Sequence, residues 1–161
     1  MQTLFKASLA AALSMAAIAP ALAGDESITV LSQAAYAQWQ EDVTQSLDRR
    51  LVSVERASRA TPVAGIVQLR FTLNENGQPQ GFRTLTSSGD RATDRVAISA
   101  VRGLTQLDEA PVAGAADKTF QANIIFAKSP AQHARLAQKL AKMESARLAR
   151  SDSGGVISFG L

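Results

Sequence analysis

The sequence predicts a small α+β domain in two layers: a three-stranded antiparallel sheet with two helices on one face, plus a C-terminal helical extension. Three observations predict it. Residues 67–73 and 120–126 alternate apolar with polar side chains, the two-residue period of a strand with one buried face. Asn76-Gly77 follows the first of these stretches and precedes a third, and such a pair supplies the positive φ angles of a tight reversal. Two further stretches repeat apolar residues at steps of three and four, as a helix with one buried side does.

Residues 1–23 read as a signal peptide. Lys6 is the only charge before Asp25, residues 7–19 are apolar with many small side chains, and Pro20 ends the run. Ala21-Leu22-Ala23 is a small-x-small cleavage sequence, so a mature chain would start at Gly24. The alternative, an uncleaved anchor, is disfavoured because the run is shorter than the roughly 20 residues of a spanning helix. No second hydrophobic span follows, which predicts no integral membrane segment after cleavage. Residues 24–31 form a lead whose short apolar run, 28–31, has no assigned place.

Ser32 caps the first helix, in which Tyr36, Trp39, Val43, Leu47, Leu51 and Val54 form one stripe. Glu41, Asp42, Asp48, Arg49 and Arg50 fall off it and should face solvent. An aromatic on such a stripe is read as core, so Trp39 is not taken as a ligand platform. After a linker at residues 58–62 comes the first strand, residues 65–73. The turn ends at Pro79, which cannot donate to a ladder and suits a strand's first position. Residues 82–87 return. Ser88-Gly89-Asp90 then hands over to a helix capped by Asp90 or Thr93, with Val96, Ala97, Ala100, Val101 and Leu104 inward and Gly103 as terminator.

Residues 105–118, with Pro111 and Gly114, read as an irregular connection to the third strand. The outer sheet face would then show Gln68, Arg70, Thr72, Gln121 and Asn123 to water. Ser129-Pro130 is an N-cap followed by proline at the first helical position. The basic helix it opens, residues 129–150, carries Arg135, Lys139, Lys142, Arg147 and Arg150 against Glu144 alone, beside a thin stripe of Leu136, Leu140 and Met143. Residues 151–161 form a flexible tail with an apolar end, residues 156–161. The domain proper spans 32–128.

Composition narrows the chemistry. The chain has no cysteine, which excludes thiol chemistry, disulfides and cysteine metal sites. A net charge of +3, or +2 without Lys6, and an aromatic content of 5% argue against nucleic acid as a partner. His133 is the only histidine, and the pattern places no partner near it. Ser87 and Ser88 have no base at hand and suit a turn. The neighbours Glu41-Asp42 and Asp108-Glu109 diverge, and Asn74, Glu75 and Asn76 are too few for a calcium loop. The chain is therefore read as a non-enzyme with no cofactor or metal.

In their order, these pieces resemble the TonB C-terminal domain family, which includes the end domain of TolA. The shared pattern is the strand at 65–73, Asn76-Gly77, residues 82–90 with Ser87-Ser88-Gly89-Asp90, then Thr93-Asp94, the small-residue helix, Pro111 and the last strand. It covers residues 60 to 127. The chain departs from it at Thr93, where the family has leucine, and around residues 103–107, where aromatic residues are missing. It also has no proline-rich linker, so the resemblance implies the module's fold and binding mode rather than energy transduction.

The resemblance implies a periplasmic protein that binds an extended segment of an envelope protein, such as an outer-membrane receptor, by strand addition to the last strand. Carried onto this chain, the binding residues are Phe120, Gln121, Ala122, Asn123, Ile124, Ile125 and Phe126. An open edge presents unpaired N–H and C=O groups to another backbone, and also offers a homodimer through edge strands. The Pro130 helix or residues 156–161 can instead cover that edge. A different class of function is an envelope structural protein whose basic helix binds anionic surfaces through Arg135, Lys139, Lys142 and Arg147.

Overall fold

The computed structural model describes residues 25–150 and 155–160, with side chains from residue 33 onward. The stretch read as a signal peptide, residues 1–23, and residues 151–154 and 161 of the tail lie outside the described residues. The elements are α1 (Asp25–Ser58), β1 (Gly65–Leu73), β2 (Pro79–Thr86), α2 (Arg91–Arg102), a 3-10 turn (Ala115–Asp117), β3 (Thr119–Phe126), α3 (Pro130–Ala149) and β4 (Val156–Phe159).

The first helix is 34 residues long, so residues 25–31 are helical rather than a separate lead, and position 32, expected to cap the helix, lies inside it. Its stripe is inward: Trp39, Val43 and Leu47 are buried, and Tyr36, Leu51 and Val54 pack against the core. Trp39 Nε1 donates to the Gln106 carbonyl at 3.1 Å, which satisfies the one polar atom of a buried indole. The β1–β2 reversal is built by Asn74, whose Oδ1 accepts from the backbone N–H of Asn76 and Gln78, and by Gly77 at φ +70. Asp90 is the N-cap of α2, Gly103 its C-cap, and Ser129-Pro130 opens α3.

The sheet keeps the three expected antiparallel strands but differs in number and direction, because a fourth, parallel strand is added. It has four strands in the order β2-β1-β3-β4, with β1 antiparallel to both neighbours and β4 parallel to β3. The physical reason is α3. Parallel neighbours need a crossover of a dozen residues or more, and α3 carries the chain back over the sheet so that β4 starts at the same end as β3.

The fold is also three-layered. On one face Val67, Leu69, Phe71, Phe120, Ala122, Ile124, Ile157 and Phe159 form a single core with α1 and α2. Phe71 and Phe120 stack at its centre, 5.7 Å apart with planes 16° from parallel. On the other face lies α3, with Leu140 fully buried outside that core.

Candidate functional site

The seven residues proposed to receive a partner strand all lie on β3, which is an interior strand. Its register with β1 runs from Phe71 opposite Phe120 to Gly65 opposite Phe126. On the other side Thr119, Phe120, Gln121 and Ala122 pair with Val156, Ile157, Ser158 and Phe159. The expectation of an open β3 edge is therefore corrected over residues 119–122, where the chain's own end occupies it. Phe120, Ala122, Ile124 and Phe126 point into the core, Gln121 and Asn123 are buried on the opposite face, and Ile125 is half-buried.

Four features hold β4 in place. Ile157 and Phe159 are buried, and the Phe159 ring meets Trp39 and Phe71 edge-on at 6.2 and 6.3 Å. The Ser158 carbonyl accepts from Gln40 Nε2 at 2.7 Å, and its hydroxyl accepts from Arg147 Nη2 at 3.2 Å. Gly160 donates its N–H to Thr44 Oγ1 at 3.1 Å. At φ +82, with a Cβ that would stand 2.4 Å from the Asn123 carbonyl oxygen, position 160 requires glycine. Tyr36 sits at the same strand: burial pushes its phenol up, partly offset by a hydrogen bond with the Ser158 backbone and by the Arg147 charge.

β4 stops at Ala122. Among the described residues no strand pairs with Asn123 to Phe126 on that side. A slot of about 100 Å³ opens there, lined by Thr44, Asp48, Leu51, Ile125, His133 and Gly160 among others. Burial pushes the Asp48 carboxyl up, and His133 across the slot counteracts this. His133 itself is exposed on α3.

The polar sheet face is covered, contrary to the expectation that it meets water. Gln68, Gln121 and Asn123 are buried, while Arg70 is half-buried and Thr72 exposed. Buried amides persist only when partnered, and α3 supplies the acceptor. Glu144 Oε1 accepts from Gln68 Nε2 at 2.9 Å and from Gln121 Nε2 at 2.6 Å. Asn123 Oδ1 accepts from the same two amides, and Thr86 Oγ1 donates to Gln68 Oε1. Glu144 Oε2 in turn accepts from Arg147 Nε at 2.9 Å.

This arrangement divides the basic quartet. Arg135, Lys139 and Lys142 are exposed, whereas Arg147 turns inward to Glu144 and Ser158. The Ser87-Ser88 pair serves the turn. Both hydroxyls and the Ser88 N–H donate to Asp94; burial pushes this carboxyl up, but these bonds outweigh it and hold it below its usual value. Asp90, lowered by its bonds from Thr93, caps α2. Among the described residues no group of three or more His, Asp or Glu could hold a metal ion, and no helix is long and apolar enough to cross a membrane.

Ile157, Phe159 and Gly160 close the edge, as the alternative in which residues 156–161 cover it expects, although the sequence reads them as part of a flexible tail. Their signal is the alternation Ile157-Ser158-Phe159 closed by a glycine, faint because it is one repeat long. No family model matches the chain, and no curated protein or solved structure matches it either.

Proposed function

We propose that this chain is a protein-interaction module of TonB C-terminal type, which takes an extended segment of an envelope protein onto the β3 edge, with β4 as its resident occupant. The observation that carries the reading is β4 itself. Four residues seat there in parallel register, two alternate apolar side chains enter the core, and a glycine passes Asn123. A guest of the same description, apolar-x-apolar-Gly, would replace β4 through backbone hydrogen bonds plus two side-chain sockets, the general logic of strand addition. The outer edge of β2 is a poorer template: its pairing with β1 shifts register twice, and it begins at Pro79. Export by residues 1–23 would place the encounter in the periplasm.

A peptide of residues 154–161 serves as surrogate guest. It is titrated into the isotope-labelled full chain and into Phe159→Ala, whose resident strand is held less tightly. Saturable amide shifts at Thr119 to Ala122, at least ten-fold tighter in the variant, support displacement. Absence of those shifts in the variant counts against it. Proline at Asn123 is not a selective test, because Asn123 pairs with Gln68 on β1.

A second reading has its own observation. Arg135, Lys139 and Lys142 are exposed at helical spacing on one stripe, and the single carboxylate of α3, Glu144, faces inward. Such a stripe suits an anionic surface. Co-sedimentation with anionic vesicles that falls with salt and with glutamate at positions 139 and 142 supports it; salt-independent behaviour removes it.

A further inference from the structure

We infer that the cavity between the C-terminal half of α3 and the polar sheet face binds a small amphiphilic anion: one carboxylate or phosphate head carrying an apolar chain. The cavity measures about 450 Å³, within the range of small-molecule sites. Three guanidinium groups line it, those of Arg70, Arg147 and Arg150, against one carboxylate, Glu144. Among the described residues the ion pair here is Arg147 with Glu144, which leaves Arg70 and Arg150 without a carboxylate.

Arg147 gives the sharper signal. Its side chain is 17% exposed, Nε donates to Glu144 and Nη2 to Ser158, but Nη1 is buried with no hydrogen-bond partner. Buried polar groups are normally satisfied, so a buried guanidinium nitrogen beside a cavity calls for an acceptor. Guanidinium donors match the paired oxygens of a carboxylate or phosphate.

The rest of the lining selects the remainder of the ligand. Leu85, Met143 and Ala146 form an apolar wall, and Leu85 is among the few large hydrophobic side chains left exposed, at 38%. A hydrocarbon chain would cover it. Glu144 in the lining opposes a polyanion, so a single charged head fits better than a nucleotide or a sulfated polymer.

Calorimetry of the full chain tests this with four probes: octanoate, octyl phosphate, acetate and octanol. Expected is one saturable site for octanoate, octyl phosphate or both, with acetate and octanol at least ten-fold weaker. The tighter of the two octyl probes tells a free acid from a phosphate-ester headgroup. Arg70→Gln and Arg150→Gln should each weaken binding about ten-fold, while Lys139→Gln on the outer stripe leaves it unchanged. As a readout independent of variant folding, the Met143 methyl and Leu85 methyl resonances of the wild type should shift on octanoate addition. No saturable binding up to millimolar probe, or full affinity in both arginine variants, overturns the inference.

Discussion

Replacing Phe159 by alanine tests the closure of the sheet most directly. The ring is 3% exposed and lies edge-on to both Trp39 and Phe71. Truncating a buried phenylalanine costs about 3–5 kcal/mol, of which each lost aromatic contact accounts for roughly 0.5–1.5 kcal/mol. Phe159 sits on a four-residue edge strand paired along one side only, so the strand can let go rather than leave a void. The loss is therefore capped by the free energy that holds β4, and about 3 kcal/mol is expected. For a domain stable by about 5–15 kcal/mol and a urea slope near 2 kcal/mol per M, the midpoint should fall by about 1.5 M. Trp39, the single tryptophan, reports the transition because it touches the substituted ring. Amide exchange adds the local view: residues 119–122 should exchange at least 100-fold faster, while β1 amides bonded to β2 change less. A midpoint shift below about 0.3 M, with exchange at 119–122 unaltered, would refute a seated β4 and the displacement reading with it.

Three further outcomes follow from the hydrogen-bond geometry. Glu144→Leu takes one acceptor from each of Gln68, Gln121 and Arg147, leaving the two amide nitrogens with Asn123 alone, and should cost about 3 kcal/mol, whereas the double change Glu144→Leu with Arg147→Leu should cost less than the two single losses combined; additive losses in urea melts would deny the coupling. Thr93→Val removes the acceptor of the Val63 N–H at 2.9 Å and the donor to Asp90 at 2.7 Å, for a loss of about 2 kcal/mol, while Thr93→Ser should stay within about 1 kcal/mol of wild type in the same melts. Asp94 is raised by burial but lowered more by its bonds from Ser87 and Ser88, so its folded pKa lies below the ordinary 3.8. Its contribution is present above that value and is lost as pH falls through the lower folded pKa. Stability measured from pH 5 to pH 2 should thus decline less steeply in Asp94→Asn than in wild type; parallel curves would count against the assignment.

The Thr93 network also gives a reason for threonine at the position where the family that the sequence resembles has leucine. Leucine could fill a buried site, but it could not satisfy Val63 or Asp90, so the threonine belongs to this chain's own way of tying the 59–64 linker to α2. Polar partnering of this kind cannot be read from hydropathy, since Thr93 is fully buried on a face otherwise made of valine and alanine.

What the sequence determined alone is most of what neighbours within a few residues set, the start of α1 excepted. The alternation of residues 67–73 and 120–126, the Asp90 and Ser129 caps and the α1 stripe each rest on local geometry, and each stands where the residues placed it; the reversal also falls at Asn76-Gly77, but of that pair only Gly77 takes a positive φ. Tertiary structure decided which edge is closed and which face is wet. Val156 to Phe159 has no local partner, and it becomes a strand only because β3, more than thirty residues earlier, offers a parallel ladder and sockets for two side chains. Gln68, Gln121 and Asn123 look like a solvated face until Glu144 arrives from α3, because an amide is at home in water or in a complete hydrogen-bond network, and only the fold selects between them.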